Sequence, residues 1–213
     1  MAMGSSGQTS IQGEIDAMPA STSTAAPVIV VSGLPRSGTS LMMSMLQAGG
    51  VPIVTDAQRT ADDDNPNGYF ELERVKQLSK GDVAWVDTAH GKAVKVISAL
   101  LEHLPATTSY KILFMRRRLP EVLASQRKML ERRGEPTDAV PDQTMASLFE
   151  RHLQKIEGWM AAQRNISVLY VPYHELAERP ETHVDAIIAF LGLELDRAQM
   201  LAAVDPALYR NRA

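Results

Sequence analysis

The sequence predicts an α/β fold in which a parallel sheet is covered by helices on both faces. Three apolar runs, residues 28–31, 110–115 and 166–171, are typical of buried strands. Segments with helical spacing of apolar residues separate these runs, and this alternation indicates a parallel sheet. A chain of 213 residues without an internal repeat suits a single domain of this class.

Glycine sets the expected ends of the elements in the first half of the chain. The first strand covers about residues 28–32, and a helix begins near Gly38 and ends at Gly49 and Gly50, where glycine favours a C-cap. We then expect loop and turn structure over 52–69, a helix over 71–80 that stops at Gly81, a short strand over 93–97 and a short helix over 98–103.

The second half continues the same alternation. The strand over 110–115 is followed by a helix with Pro120 in its first turn, which ends by Gly134. A strand over 166–171 and a helix over 181–191 follow a long helix over 142–163. That long helix places seven side chains on one face, which we expect to be buried: Met145, Leu148, Phe149, His152, Ile156, Trp159 and Met160.

Composition and charge exclude several classes of protein. The net charge of −3 gives no overall basic field for a nucleic-acid partner, and no apolar stretch reaches the ~20 residues of a membrane span. The chain has no cysteine, so a thiolate metal site and a cysteine nucleophile are excluded. We expect no secretory signal and a cytoplasmic location. Residues 1–26, rich in Ser, Thr, Ala and Gly, are predicted to be a flexible tail, and residues 27–213 a single domain.

A glycine-bounded loop directly after the first strand predicts a site for a phosphate or a similar anion. It comprises Gly33, Leu34, Pro35, Arg36, Ser37, Gly38, Thr39 and Ser40. A strand, such a loop and a helix N-terminus together turn backbone N–H groups toward an anion. Thr39 stands where a nucleotide-triphosphate P-loop has lysine, and the cation is Arg36 inside the loop. We therefore expect a P-loop-type sheet whose loop holds an anion without that lysine; an ordinary strand-to-helix turn is the alternative.

A second group of polar side chains follows the strand over 110–115. Arg117 ends this strand, and Glu121 and Ser125 lie one helical turn apart on one face of the next helix. A strand-end arginine and a serine in the first turns of a helix can converge on a second phosphate at the carboxyl edge of the sheet. A basic, solvated helix with ordinary ion pairs is the alternative.

Together these segments resemble the sulfotransferases that use 3′-phosphoadenylyl sulfate (PAPS). That family has a 5′-phosphosulfate loop with a cation at the position of Arg36, and a 3′-phosphate motif in which a serine follows an arginine by eight positions, as Ser125 follows Arg117. Residues 171–180 resemble the family's tyrosine–acidic–leucine stretch before a proline, and residues 65–71 resemble a motif of compact bacterial members. One departure is Pro120, which lies one place later than in the family. The serine spacing selects Arg117 rather than Arg116 or Arg118 as the 3′-phosphate ligand.

The resemblance implies a PAPS and PAP (3′-phosphoadenosine 5′-phosphate) site without a metal. Its ligands would be Gly33, Pro35, Arg36, Ser37, Gly38, Thr39, Ser40, Arg117 and Ser125, with Tyr173 near the adenine. Tyr173 could equally be a core residue with a hydrogen-bonded hydroxyl. The acidic run over 62–64 has no further ligands at fixed spacing, so we interpret it as a solvated loop.

Three residues are the predicted catalytic groups. Arg36 and Lys95 are candidates to stabilise charge on the leaving oxygen, since the family places a lysine in the matching strand. Many members use a histidine two residues after that lysine, but this chain has Ile97 there. Other branches use a glutamate, which makes Glu71 the candidate base; a helix N-terminal charge is its alternative. His90 and His103 are weaker candidates for the base.

The predicted activity is sulfuryl transfer from PAPS to a small-molecule or glycan acceptor. Two other functions stay open on the sequence. A P-loop kinase or nucleotide hydrolase lacks support because the loop has no lysine before Thr39 or Ser40 and no strand ends in a suitable aspartate. A non-catalytic protein that binds the nucleotide, or a partner, on this fold stays open because position 97 has no histidine. The sequence indicates neither the acceptor nor the oligomeric state.

Overall fold

The computed structural model of the protein describes residues 25–56, 68–137 and 140–205. Four strands form one fully parallel sheet in the order β2-β1-β3-β4. The strands are β1 (Val28–Gly33), β2 (Ala93–Lys95), β3 (Tyr110–Arg116) and β4 (Ile166–Pro172). Most of the predicted tail, the acidic run over 62–64 and the Asn-Pro-Asn of the 65–71 motif lie outside the described residues.

Six α-helices and three 3₁₀ segments lie between and after the strands in the described residues. The α-helices are α1 (Thr39–Ala48), α2 (Leu119–Arg133), α3 (Asp142–Ala162), α4 (Tyr173–Glu178), α5 (Pro180–Leu191) and α6 (Arg197–Ala202). The 3₁₀ segments are Glu73–Lys80, Val86–Thr88 and Ser98–His103. None of the helices in the described part of the chain is both long and apolar enough to cross a membrane.

Alternating side chains of the central strands form two cores, one on each face of the sheet. In β1, Ile29 and Val31 pack among residues of α1, α4, α5 and α6. Val28 and Val30 point to the opposite face, where they join residues of α3 and the 3₁₀ segments. This period of two is what a strand buried on both faces requires. The predicted fold class, a P-loop-type parallel sheet flanked by helices on both faces, is confirmed.

Three element predictions need correction, and one of them is the short helix over 98–103, which is a 3₁₀ segment from Ser98 to His103. The segment predicted as a helix over 71–80 is a 3₁₀ helix from Glu73 to Lys80, although it does stop at Gly81. The predicted strand over 93–97 ends at Lys95, and Ile97 is 41% exposed. A strand at this end of the sheet pairs with β1 on one side and with an isolated bridge at Ile53 on the other, which supports only a short ladder.

The apolar face predicted for the long helix is buried only in its C-terminal half. Ile156 and Met160 are fully buried, whereas Leu148 is 44% exposed. The first half of α3 lies beside α2 rather than against the sheet, since Asp142 pairs with Arg127 at the start of the helix. Periodicity identified the face, but not how much of the helix the sheet would cover.

The strand order creates a switch point at the carboxyl ends of β1 and β3. From β1 the chain continues to β2 on one side of the sheet, and from β3 it continues to β4 on the other side. Ligands of open α/β sheets bind in the crevice at such a point. The glycine loop follows β1, Arg117 follows β3 and Tyr173 follows β4, so these segments leave the sheet at the same edge.

Candidate functional site

The glycine loop has a backbone that requires glycine at both ends. Gly33 has φ +146° and Gly38 has φ +101°, and L side chains rarely adopt either value. A Cβ on Gly33 would lie 2.5 Å from Ser37 Oγ, and a Cβ on Gly38 would lie 2.2 Å from Tyr173 Cδ2. Gly38 is also the N-cap of α1 and has no side chain to cap the helix. The N-cap residue therefore supplies no side-chain acceptor for the first N–H groups of α1.

Ser37 and Arg36 give the loop a buried hydroxyl group and a cation. Ser37 Oγ is buried and has no hydrogen-bond partner among the described residues, which is costly for a hydroxyl group. Arg36 has φ +68°, an uncommon conformation for a residue with a side chain, and its Nε donates to Ser125 Oγ at 3.0 Å. Thr39 is buried, and Pro35 is exposed. A cradle with an orphaned buried hydroxyl and an adjacent guanidinium fits an anion.

Arg117 connects the second predicted group to the loop. Its Nη1 donates to the carbonyl of Arg36 at 3.1 Å, and its Nε donates to Glu121 Oε2 at 3.0 Å. The side chains of Arg117 and Glu121 are 7% and 0% exposed. With the bond from Arg36 to Ser125, the two groups predicted from separate parts of the sequence form one cluster.

The neighbours of Arg117 have different partners or greater exposure. Arg116 lies over the ring of Tyr170, with 4.4 Å from Cζ to the ring centroid, and pairs with Glu157 at 2.6 Å. The side chain of Arg118 is 54% exposed. Arg117, the arginine that the serine spacing selects, donates to the glycine loop through its Nη1.

Tyr173 is the first residue of α4 and is nearly fully buried between the loop and Arg117. Its ring packs on Gly38, and the Arg117 guanidinium carbon lies 4.6 Å from the ring centroid. This distance is typical of a cation–π contact. Burial raises the pKa of Tyr173, while the nearby charge of Arg117 lowers it and that of Glu121 raises it. The net shift is upward, so the phenol is neutral near pH 7 and offers an uncharged ring face.

A second cluster forms around Lys95 on the β2 side of the loop. Lys95 Nζ donates to the carbonyl of Tyr69 at 2.9 Å and to Ser40 Oγ at 3.2 Å. Glu71 Oε1 lies 3.9 Å from the same nitrogen. Lys95 thus joins the last residue of the glycine loop to the segment that carries the predicted base. The structure brings the three predicted catalytic residues to the two sides of one loop.

Sequence reasoning missed the residues that hold Glu71. The hydroxyl of Thr55 donates to the carbonyl of Glu71 at 2.8 Å, and Asp56 Oδ2 accepts from the backbone N–H of Glu73 at 2.6 Å. Phe70, next to Glu71, has φ +51°, which is strained for a bulky residue. Nothing local in the sequence indicates these contacts, because the partners are 16 and 17 residues apart.

Three histidines, at positions 90, 103 and 152, are not joined to these clusters by any hydrogen bond or ion pair among the described residues. His90 Nδ1 is 2.8 Å from the carbonyl of Ala26, just before β1 begins, and so lies at the amino edge of the sheet. His103 is exposed at the end of a 3₁₀ segment. His152 is hydrogen-bonded to Ser98 Oγ at 2.8 Å, and burial lowers its pKa. Within the described ranges, no group of three or more His, Cys, Asp or Glu residues could hold a metal ion.

The chain matches a known protein family over most of its described residues. A model of the sulfotransferase family matches residues 70–197, which is more than half of the chain. The chain belongs to the sulfotransferase family. The matched region contains Glu71, Lys95, Arg117, Ser125 and Tyr173, whereas the glycine loop precedes it. The family resemblance inferred from the motifs is thereby confirmed.

Solved structures share this fold at low sequence identity. Mouse sulfotransferase SULT7A1, solved in complex with PAP, is 16% identical with a TM-score of 0.57, and the alignment covers 88% of this chain and 67% of the mouse chain. Sulfotransferase STF1 from Mycobacterium tuberculosis H37Rv is 16% identical with a TM-score of 0.53, at 87% and 73% coverage. The sulfotransferase domain of the Synechococcus PCC 7002 olefin synthase is 16% identical with a TM-score of 0.52, at 89% and 89% coverage. A search of curated protein sequences found no significant match.

Proposed function

We propose that the protein is a PAPS-dependent sulfotransferase that acts on a hydroxyl or amine group of a small-molecule or glycan acceptor and releases PAP. The observation that carries this proposal is the contact of Arg117 with the carbonyl of Arg36, which joins two cationic groups at the carboxyl edge of the sheet. PAPS has anionic groups on both its 5′ and 3′ oxygens and therefore requires cations in two places. The PAP complex of the mouse protein with the same fold supports this choice of donor.

The donor would lie across the glycine loop and α2. The backbone of residues 33–40, the side chain of Arg36 and the N-terminus of α1 would hold the 5′-phosphosulfate. The buried hydroxyl of Ser37, which has no partner within the described residues, is suited to this anion. Arg117 and Ser125 would hold the 3′-phosphate, and Tyr173 would form a wall near the adenine.

The reaction is an in-line transfer that residues on both sides of the loop would assist. The acceptor oxygen or nitrogen attacks the sulfur of PAPS and forms the new bond, while the bond from sulfur to the bridging oxygen breaks. The electron pair of that bond stays on the 5′-phosphate of PAP. Arg36 and Lys95 would stabilise the negative charge that develops on the bridging oxygen, as positioning and electrostatics do in phosphoryl transfer.

Glu71 would accept the proton that the acceptor loses. Its carboxylate lies 3.9 Å from Lys95 Nζ, so the base and the cation that meets the leaving group are next to each other. The hydroxyl of Thr55 donates to the backbone carbonyl of Glu71 and helps to fix this segment. With Glu71 as the base, the acceptor would lie on the β2 side of the loop.

Titration calorimetry with PAP and with ATP plus Mg²⁺ tests the donor. We expect PAP to bind more tightly, because the site offers a second cation for a 3′-phosphate. Tighter binding of ATP would favour a kinase or hydrolase instead. Transfer of labelled sulfate from PAPS to a panel of alcohols, phenols, amines and glycans then tests catalysis, and PAP binding without transfer to any of them would favour a non-catalytic nucleotide-binding protein.

Four variants separate catalysis from donor binding. Arg36→Ala and Lys95→Ala should each lower kcat by roughly 100-fold or more, the typical cost of one transition-state donor, with a smaller change in PAP affinity. Arg117→Lys and Ser125→Ala should chiefly raise the Kd for PAP, because a lysine loses the forked geometry and an alanine loses the hydroxyl. Equal effects of all four on kcat and Kd would contradict these assignments.

Glu71→Gln tests the base. The amide keeps the shape of the side chain but cannot accept a proton, so we expect kcat to fall by about 100-fold or more with PAP affinity unchanged. Glu73→Gln, two residues along the same segment, is the matched control and should retain full activity. Undiminished activity of Glu71→Gln would remove this residue as the base.

A further inference from the structure

Glu121 carries a buried charge for which the proposed reaction has no use. Its carboxylate is fully buried in the first turns of α2, and a buried carboxylate is very costly unless it is paired. Oε2 accepts from Arg117 Nε at 3.0 Å, and Oε1 lies 4.0 Å from a nitrogen of Arg118. A helix N-terminus alone favours an acidic residue, but it does not require one that is buried against an arginine.

A chain of contacts leads from Glu121 to the glycine loop. The guanidinium that Glu121 holds donates to the carbonyl of Arg36 and lies over the ring of Tyr173. That ring in turn packs on Gly38, the N-cap of α1. Glu121, Arg117, Tyr173 and Gly38 thus form a continuous series of contacts.

We infer that Glu121 is a positioning residue, which orients the Arg117 guanidinium so that the loop and the Tyr173 ring are preformed to receive the donor. This inference rests on the proposed function, since it assigns Glu121 a part in PAP binding through Arg117. Replacement of a buried ion pair by apolar side chains is often tolerated or stabilising, so the fold alone does not require this pair. Glu121 holds the guanidinium at its Nε, while Nη1 of the same group donates to the carbonyl of Arg36 in the glycine loop.

The affinity of Glu121→Gln for PAP tests the inference. We expect the Kd to rise about tenfold or more, in line with the loss of partners that orient ligand-binding groups. Glu131→Gln is the matched control, because Glu131 is an exposed residue of the same helix, and it should bind PAP as the unmodified protein does. A Glu121→Gln protein that binds PAP like Glu131→Gln would overturn the inference.

A double-mutant cycle shows whether Glu121 acts through Arg117. Arg117→Met with Glu121→Gln removes both charges of the buried pair, which keeps the fold accessible even if Glu121→Gln alone unfolds. We expect Glu121→Gln to add no further weakening of PAP binding in the Arg117→Met background, because interacting residues are not additive. Equal weakening in both backgrounds would refute a role through Arg117.

A ligand-free measurement keeps this inference distinct from the proposed function. The charge of Glu121 raises the pKa of Tyr173, and that of Arg117 lowers it by more. If Glu121→Gln releases Arg117 from the ring, the effects of both charges are lost, and the pKa of Tyr173 rises because the larger, lowering effect of Arg117 is gone. If Arg117 stays over the ring, only the raising effect of Glu121 is lost, and the pKa of Tyr173 falls. NMR titration of ¹³Cζ-labelled tyrosine measures this pKa, and Tyr173→Phe assigns the signal. We expect the pKa of Tyr173 to rise in Glu121→Gln, and a fall would refute the positioning role. Failure of the unmodified protein to bind PAP would refute the proposed function and leave this titration decisive for Glu121.

Discussion

Replacement of Gly38 by alanine should disrupt the packing between the glycine loop and Tyr173. Gly38 has φ +101°, and its added Cβ would lie 2.2 Å and 2.7 Å from Cδ2 and Cε2 of the Tyr173 ring. No real Cβ is found so close to another carbon, so either the ring or the loop has to move. The ring is held by the Arg117 guanidinium at 4.6 Å, and its displacement would disturb that contact too.

Gly134 offers a matched control for the backbone part of this effect. It has φ +67° at the C-cap of α2, and a Cβ there would meet no atom within 4 Å. Gly134→Ala should therefore cost only the strain of a left-handed alanine, about 1 kcal/mol of unfolding free energy. Gly38→Ala carries at least the same strain plus about 1–3 kcal/mol for overpacking, so its total should be about 2–4 kcal/mol.

Urea denaturation of both variants measures the difference, and PAP titration measures its effect on the site. We expect Gly38→Ala to be the less stable variant by at least about 1 kcal/mol and to bind PAP more weakly. Tyr173→Ala in the Gly38→Ala background removes the obstructing ring and should abolish the overpacking part. Equal stability of Gly38→Ala and Gly134→Ala, or the same penalty with and without the Tyr173 ring, would refute the contact.

Two further predictions concern the scaffold. Burial raises the pKa of Tyr110 to about 12, against ~10 for an unfolded chain, so its neutral phenol contributes stability that is complete below about pH 10 and lost as the pH rises toward 12. Between pH 9 and 11, urea denaturation should show a loss of roughly 1.4 kcal/mol from this group that Tyr110→Phe lacks; equal losses would contradict the assignment. Gly158→Ala, at an exposed position inside α3 with no atom within 4 Å of the new Cβ, should raise the unfolding free energy by about 0.5–1 kcal/mol. A decrease in that free energy would indicate a backbone role for Gly158.

The elements that the sequence predicted well are those with local signals at their ends. The loop after β1 is bounded by Gly33 and Gly38, and α2 ends at Gly134, which has the left-handed C-cap conformation. These features depend on a few consecutive residues, so a single sequence contains them. The burial of α3 depends instead on where α2 lies, and its exposed Leu148 illustrates that periodicity alone does not reveal such a neighbour.

The candidate site was predictable in its parts but not in its contacts. The family's 3′-phosphate motif, with its arginine-to-serine spacing of eight, selected Arg117 and Ser125. A lone lysine in an apolar run, where the family has a strand lysine, selected Lys95. The link from Arg36 to Ser125 joins residues 89 positions apart, and the link from Lys95 to the carbonyl of Tyr69 crosses 26. Contacts of this length follow from strand order and register, which the sequence predicts only as a parallel sheet without specifying its order.

The register explains why the separate motifs meet. Gly33 of β1 is paired with Met115 of β3, so the glycine loop and Arg117 leave the sheet at the same level. Arg116 is paired with Pro172, which brings Tyr173 to that level as well. A slip of one residue in either ladder would turn alternate side chains to the other face and separate these groups.

On the β2 side of the loop, the neighbouring strand ends at a different height from β3 and β4, so the two sides of the site differ. Lys95, the last residue of β2, is paired with Val31, two residues before the end of β1. With a rise of about 3.3 Å per residue, β2 ends roughly 6–7 Å below the start of the glycine loop. From the end of β2, the side chain of Lys95 extends so that its Nζ donates to Ser40 Oγ and to the carbonyl of Tyr69, and lies near Glu71. The arginine side of the loop thus carries Arg117 and Tyr173, and the lysine side carries Lys95 beside Glu71. This division is the physical reason to expect the 3′-phosphate of the donor on the former side and the acceptor on the latter.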